Sequence, residues 1–184
     1  MGKLVVTEFV SLDGVMEDPG GAEEYEHGGW TFQFDRGPDG DKFKLDELMA
    51  ADAQLLGRRT YDGFAKAWPT MEGSEFAEKM NAMPKFVVSQ TLRDPTWNNT
   101  TVIGIDDVAS LKERFEGDVL VAGSAELAQG LMARGLVDEL RLMVFPVVLG
   151  SGKRLFADGA QRHDFTVVET NQTGAVVTLV LRRA

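Results

Sequence analysis

The run Leu55-Leu56-Gly57-Arg58-Arg59-Thr60-Tyr61 is the strongest local signal in the sequence, because an apolar strand ends there at a glycine and a helix is predicted to begin at Thr60. A strand-to-helix turn directs backbone N–H groups and the positive end of a helix at one place, which suits a phosphate. Two arginines in the first turn oppose the helix dipole unless an anion is nearby. The run therefore predicts an anion site, with a pair of solvated surface arginines as the alternative.

Short β-branched or aromatic runs on both sides of this turn predict eight strands. They lie near residues 4–10, 53–57, 85–89, 101–104, 118–122, 138–148, 164–170 and 175–182. Helical periodicity appears between several of them, in Leu45, Leu48 and Met49, in Val108, Leu111 and Phe115, and in Leu127, Ala128, Leu131 and Met132. Strand and helix alternate through residues 43–122, which predicts a largely parallel sheet, whereas the chain after Leu136 predicts an antiparallel edge.

Composition narrows the class of protein. A chain of 184 residues, 43% hydrophobic and 26% charged, fits one folded α/β domain over residues 1–184. Its net charge of −10 argues against nucleic acid as a partner. Glu8 interrupts the first apolar run before a signal peptide would be complete, and no later run reaches the ~18 apolar residues of a membrane span. We therefore expect a cytoplasmic protein without a membrane partner.

A second strand end repeats the pattern of the first. Val119 to Ala122 read as a strand, Gly123 would let backbone approach a ligand closely, and Ser124 is predicted to cap the following helix. A capped helix after a buried strand is commonplace, so this turn alone is weak. Two such turns in one parallel sheet favour a ligand in the crevice outside the carboxyl ends of the strands.

Other motifs are less informative. Gly123-Ser124 lacks the G-x-S-x-G spacing of a hydrolase nucleophile, and Gly150-Ser151-Gly152 lacks the spacing of a P-loop, so we expect a solvated turn there. The chain has no cysteine, and His27 and His163 are isolated, so no metal site is predicted. Asp13 either places a carboxylate in the crevice or belongs to an ordinary Asp-Gly turn. Residues Asp18 to Asp41 are expected to form a long mobile loop.

Taken in order, several motifs resemble one family. They are Ser11-Leu12-Asp13-Gly14, Leu56-Gly57-Arg58-Arg59-Thr60, Val88-Ser89, Ala122-Gly123-Ser124, Leu136-Val137-Asp138-Glu139-Leu140 and Pro146-Val147-Val148-Leu149-Gly150-Ser151-Gly152. Together they resemble dihydrofolate-reductase-like proteins related to the C-terminal reductase domain of the bacterial riboflavin deaminase/reductase (RibD). The resemblance covers essentially the whole chain. It implies a mostly parallel central sheet with helices on both faces and an antiparallel C-terminal hairpin.

The resemblance also implies the cofactor NADPH and the residues around it. Gly57, Arg58, Arg59 and Thr60 would hold its phosphates, with Arg58 and Ser89 placed for the adenosine 2′-phosphate. The pyrophosphate would be lined by Gly123, Ser124, Ala125, Glu126 and Leu127, and the nicotinamide side by Ser11, Leu12 and Trp30. Family members commonly form dimers, and we expect a homodimer with its contact in the Leu140 to Val148 strand.

Two departures concern the substrate. True dihydrofolate reductases carry Gly-Gly where this chain has Ala122-Gly123, and riboflavin-pathway reductases carry an acidic substrate-binding residue at the position of Ala122. No match to the carboxylate-bearing helix of dihydrofolate reductases is evident, and Asp35 and Asp41, the candidates, would be solvated in a loop. Poor reduction of dihydrofolate is therefore expected.

Two hypotheses follow. The first is hydride transfer from NADPH to a C=N or C=O bond of a small heterocyclic or sugar-phosphate substrate, as in 5-amino-6-(5-phosphoribosylamino)uracil reductase or dihydrofolate reductase, with Asp13 orienting the substrate or relaying a proton. The second is a non-catalytic dimeric nucleotide-binding module. Cofactor affinity without turnover would distinguish the second from the first.

Overall fold

Eight strands form one sheet in the computed structural model, which describes residues 1–184. The strands are β1 (Leu4–Ser11), β2 (Ala51–Gly57), β3 (Lys85–Val88), β4 (Thr100–Ile103), β5 (Asp118–Ala122), β6 (Glu139–Phe145), β7 (Phe165–Thr173) and β8 (Val176–Arg183). Their order in the sheet is β4-β3-β2-β5-β1-β6-β8-β7. The first six pair in parallel, and β8 and β7 add an antiparallel hairpin. All eight predicted strands are confirmed.

Five α-helices connect the parallel strands. They are α1 (Gly37–Met49), α2 (Arg58–Ala67), α3 (Glu75–Ala82), α4 (Val108–Glu113) and α5 (Ala125–Ala133). Helix α3, of two turns, was not predicted from the sequence. The Ser74 hydroxyl caps it by accepting a hydrogen bond from Ala77 N at 3.1 Å. Helix α2 begins at Arg58 and not at the predicted Thr60, because Gly57 has the extended backbone of a cap residue. No helix has the length and apolar character needed to cross a bilayer.

The helices cover both faces of the sheet, as alternation along β1 requires. Val5 packs in a cluster with residues of α1, α2 and α3, such as Leu48 and Tyr61. Leu4 and Val6 pack in the larger cluster with α4 and α5, for example against Leu131. This is the predicted dihydrofolate-reductase-like arrangement, and it sends the helices after β2 and β5 to opposite faces.

The expectation of a loop from Asp18 to Asp41 is wrong for much of that segment. Residues Trp30–Gln33 form a 3-10 helix, and α1 begins at Gly37. Trp30 is 1% exposed, its ring centroid lies 5.3 Å from that of Phe145, and its Nε1 donates to the Glu17 carbonyl at 2.8 Å. Burial of this indole in a small third cluster fixes the segment, an interaction that the glycine content obscured.

The strand expected at a dimer contact is interior. β6 pairs with β1 on one side and with β8 on the other, and most of its side chains are buried. Its backbone therefore has no free edge for another copy. Val148, beyond the strand, is the one strongly exposed apolar residue of the predicted contact. The free edges of the sheet are β4 and β7.

Candidate functional site

Strands β2 and β5 lie side by side and end at the same edge of the sheet, and the region between their ends is called the crevice. Helix α2 leaves β2 on one face of the sheet and α5 leaves β5 on the other. This is the topological switch point at which open α/β sheets bind ligands. The two glycine turns singled out in the sequence, at Gly57 and Gly123, therefore meet at one place.

Ser124 links the two turns. Its hydroxyl oxygen accepts a hydrogen bond from Gly57 N at 2.9 Å, although the two residues are far apart in sequence. Ser124 is the N-cap residue of α5, as predicted, but its backbone is left-handed, with φ 63°, and its side chain makes no cap hydrogen bond. Its hydroxyl serves β2 instead. The N–H groups in the first turn of α5, which includes Ala125, Glu126 and Leu127, are left without a side-chain cap.

Gly123 is required by both space and backbone conformation. Its φ is +60°, and a Cβ added there would lie 3.0 Å from Thr60 Cγ2 and 3.1 Å from Thr60 Oγ1. A Cβ on Gly57 would similarly lie 3.3 Å from the Ser124 hydroxyl. The peptide between Ala122 and Gly123 is trans. Bare backbone therefore lines the crevice, which is the surface that a phosphate can approach closely.

The two arginines of α2 are held by carboxylates. Arg58 Nε donates to both oxygens of Asp62 at 2.9 Å, and Arg59 forms an ion pair with Glu23. Both arginine side chains are still substantially exposed. Arg58 and Arg59 thus present two positive groups held in place at the surface. An incoming anion could replace their acidic partners.

Arg58 also reaches the neighbouring strand end. Its Nη1 lies 3.5 Å from Thr91 Oγ1, in the turn after β3. The Ser89 hydroxyl accepts from Thr91 N at 3.2 Å and from Leu92 N at 3.1 Å, which shapes that turn. The structure therefore brings Arg58 and the Ser89 turn together at one corner of the crevice.

The residues expected at the nicotinamide side have different surroundings. Leu12 is exposed, whereas Ser11 is buried and its hydroxyl donates to Asp13 Oδ1 at 2.6 Å. Trp30 fills the third core cluster, so its ring does not line an open surface. Of the three, Leu12 alone presents its side chain to solvent.

Asp13 anchors a turn. Its carboxylate accepts from Ser11 Oγ, from Leu149 N at 3.1 Å and from Gly150 N at 2.8 Å, and Arg154 lies 3.5 Å away. The hydrogen bond from Ser11, with those from the backbone, holds the pKa of this carboxyl well below its usual range despite some desolvation. A carboxylate that is ionised and fully engaged suits an Asp-Gly turn better than proton relay.

A buried polar cluster beside the crevice was missed from sequence. Thr7 Oγ1 on β1 donates to Glu47 Oε1 on α1 at 2.7 Å, and Lys44 Nζ donates to Thr7 Oγ1 at 2.6 Å. Lys44 and Glu47 also form an ion pair. Next to Thr7, Glu8 is 5% exposed and its Oε2 accepts from Gly123 N at 3.1 Å. The sequence signal for these buried polar groups is the pair Thr7 and Glu8, two consecutive polar residues inside an apolar strand.

Glu8 and Glu47 each have one unsatisfied carboxylate oxygen, and the two side chains lie on opposite faces of the sheet because Thr7, which contacts Glu47, and Glu8 are consecutive in β1. Glu8 Oε1 and Glu47 Oε2 are buried and have no hydrogen-bond partner. Burial raises the pKa of the Glu8 carboxyl well above its usual range, and Lys44 and the Gly123 N–H offset that rise only in part. Burial therefore favours the neutral acid form of Glu8 beside the second glycine turn. Asp35 and Asp41, by contrast, are exposed, as expected.

Comparison with known proteins agrees with the fold. Residues 2–179 match the family model of the RibD C-terminal domain. The uncharacterized protein YyaP of Bacillus subtilis (strain 168) is 28% identical over 186 residues, covering 97% of this chain and 93% of that protein.

Solved structures give the same relationship. A Shewanella sp. PV-4 protein, assigned by its name alone to riboflavin biosynthesis, superposes with a TM-score of 0.76 at 20% identity over 99% of each chain. Acinetobacter baumannii RibD superposes with a TM-score of 0.62 at 17% identity, covering all of this chain and 58% of the other. With the family model spanning nearly every residue, the chain belongs to the RibD C-terminal domain family, whose fold is that of dihydrofolate-reductase-like reductases.

Proposed function

We propose that this protein is an NADPH-dependent reductase of a small heterocyclic or sugar-phosphate substrate. The observation that carries the proposal is the meeting of Gly57 and Gly123 at the switch point, with the first turns of α2 and α5 beside them. Two helix N-termini whose first-turn N–H groups have no side-chain cap favour a ligand with several phosphates. The reductase fold of the family supports the same class of reaction.

The residues present fit the cofactor. A Cβ at Gly123 would run into Thr60, so the turn after β5 keeps bare backbone, which a phosphate can approach more closely than a side chain would allow. Gly57 to Thr60 and Gly123 to Leu127 would hold the phosphates, while Arg58 and the Ser89 turn would meet the 2′-phosphate. When bound, NADPH supplies a hydride to a C=N or C=O bond. Asp13 contributes by fixing the turn that carries Leu12, which would lie on the nicotinamide side.

Cofactor preference tests the proposal. A 2′-phosphate offers Arg58 a charge-assisted hydrogen bond, so NADPH should bind more tightly than NADH. Isothermal titration calorimetry of Arg58→Ala should show NADPH affinity reduced by about tenfold or more, with little change for NADH. Arg93→Ala, an exposed arginine in the segment after β3, is the matched control. Equal affinities of the native protein for NADH and NADPH would contradict the proposal.

Measurement of substrate turnover distinguishes the reductase hypothesis from the non-catalytic nucleotide-binding module. NADPH absorbance should fall with a pyrimidine probe such as 5-amino-6-(5-phosphoribosylamino)uracil, and dihydrofolate should be reduced poorly. The carboxylate of α1, Glu47, is buried, and its Oε1 is already engaged by Lys44 and Thr7, which disfavours binding of a pterin. A kcat/KM for dihydrofolate of about 10⁴ M⁻¹s⁻¹ or above would contradict this substrate assignment. Tight NADPH binding without turnover of any pterin or pyrimidine would favour the module.

A further inference from the structure

We propose that the Glu8 carboxyl donates the proton that accompanies hydride transfer in this protein. The inference rests on the proposed reductase function and assigns its catalytic acid. It starts from position: Glu8 lies on the central strand β1, and its Oε2 is 3.1 Å from the N–H of Gly123 at the crevice. Ala122, the residue before Gly123, pairs with Thr7 in the sheet and has no polar side-chain atom of its own.

The surroundings keep Glu8 ready to donate. Its second oxygen, Oε1, is buried without a hydrogen-bond partner, so one oxygen is held by the turn and the other is uncommitted. The charged groups that act on Glu8 are Lys44 and Glu47 of α1, and the polar backbone group is Gly123 N–H. Burial outweighs their combined effect, raises the pKa of the Glu8 carboxyl and so favours the neutral acid. A fold gains nothing from an unpaired buried carboxyl, which favours a functional reason for it.

The proposed step balances in atoms and charge. Hydride adds to the carbon of a C=N bond, and the electron pair of that bond moves to nitrogen. The O–H bond of Glu8 breaks, its electrons stay on oxygen, and an N–H bond forms, directly or through one water. The Gly123 N–H and the ammonium of Lys44 stabilise the resulting carboxylate. Water returns a proton to Glu8 after the product leaves.

The other two carboxyls near the crevice are less suited to this step. Asp13 is ionised and fully hydrogen-bonded. Glu47 also has an unpartnered oxygen, Oε2, but its carboxylate forms an ion pair with Lys44, whereas Glu8 forms no ion pair. Since Glu8 must be protonated to act, kcat should fall as pH rises through its elevated pKa.

Glu8→Gln tests the proposal, because glutamine keeps the shape and can still accept from Gly123 N. Glu139→Gln is the matched control: Glu139 is buried on the adjacent strand β6, and the hydrogen bonds from Arg141 and Lys3 outweigh desolvation and lower its pKa. Infrared spectra at neutral pH should show a protonated carboxyl band in the native protein that Glu8→Gln loses and Glu139→Gln keeps. NADPH affinity, by calorimetry, should be unchanged in both variants.

Turnover of the pyrimidine probe completes the experiment. Glu8→Gln should lower kcat by roughly 10²–10⁴-fold and remove the high-pH decline, whereas Glu139→Gln should keep both. If Glu8→Gln keeps the turnover of the native protein, or if the native protein shows no protonated carboxyl band, Glu8 is not the proton donor. Either result would leave the proposed reductase function standing. Native protein that turns over no probe would overturn the proposed function and this inference with it.

Discussion

Single residues at the crevice carry requirements that can be measured one at a time. Gly123→Val should abolish NADPH binding, because the new side chain fills the space beside Thr60. It should also destabilise the fold by about 1–2 kcal/mol, since a β-branched residue is forced to a positive φ. Calorimetry and thermal unfolding measure the two effects. Gly63→Ala, at an open position in α2, is the control and should be neutral or stabilising. Unchanged NADPH affinity in Gly123→Val would show that Gly123 is only a turn residue.

Lys85 predicts an unusual dependence of stability on pH. It is fully buried without a carboxylate partner, donating to the Asn81 and Met83 carbonyls and lying 4.4 Å from the Trp97 ring centroid. Burial lowers the pKa of Lys85 to about 8. The unfolded chain therefore holds this proton at pH values where the folded protein has lost it, so stability rises with pH from about 8 to about 10.

The measurement is urea unfolding of the native protein and of Lys85→Met at about pH 7 and about pH 9.5. The native protein should gain stability relative to the variant at the higher pH. Lys66→Met, at an exposed position, controls for the loss of a lysine. A difference between native protein and Lys85→Met that is constant with pH would contradict the prediction.

At the residue scale, the sequence predicts the glycine turns of the site better than its buried carboxyl groups. Gly57 and Gly123 are visible because a glycine between an apolar strand and a helix is typical of a turn that a ligand approaches closely. The burial of Glu8 and Glu47 cannot be predicted from the sequence, because whether a carboxyl group is buried depends on which helix packs against which strand. A single glutamate in an apolar run is equally typical of an exposed edge. The clustering of Thr7, Lys44 and Glu47 emerges only once α1 is placed over β1.

At the scale of elements, the Ser124 hydroxyl joins the ends of β2 and β5 and can be tested by a pair of substitutions. Ser124→Ala should cost about 1–3 kcal/mol, because Gly57 N loses its partner while the left-handed backbone is kept. Ser124→Gly loses the same bond but relieves the positive φ, so it should cost less. Chemical denaturation should give the stability order native, then Ser124→Gly, then Ser124→Ala. Equal stability of Ser124→Ala and the native protein would contradict the role of this bond.

The elements that sequence predicts are those with strong periodicity. β1 and β5 are apolar runs with clear ends, and their bounds agree closely with the prediction. Helix α3 has only eight residues and two buried side chains, Ala77 and Met80, too few to show a period. The 3-10 helix at Trp30 forms because its indole is buried against Phe145, a contact distant in sequence. Local patterns cannot report such contacts.

At the scale of the whole molecule, β7 is the strand with a missing neighbour. It lies at the free edge of the sheet, and of its nine residues only Thr173 is buried. Val167 and Val168 are exposed next to an irregularity in the pairing with β8. Long exposed edges with apolar side chains favour pairing with a second copy. We therefore expect the homodimer to form through β7.

Light scattering after size exclusion checks this expectation. The native protein should have the mass of a dimer, and Val167→Lys, which adds a charge to the edge, should have the mass of a monomer. Val148→Lys is the control, since Val148 is also strongly exposed but lies outside β7. A monomeric native protein would contradict the expected dimer. A dimer that Val148→Lys disrupts and Val167→Lys does not would place the dimer contact outside β7.

The strand order also decides when the fold can assemble. β1 is the first strand to be synthesised, yet its neighbours are β5 and β6, where Val5 pairs with Leu120 and Glu139. A nascent chain must therefore keep an apolar strand unpaired while more than 100 further residues are made. Closing such distant pairs is entropically costly and slows folding. A chain that stops short of β6 would leave the central strand without one of its two partners.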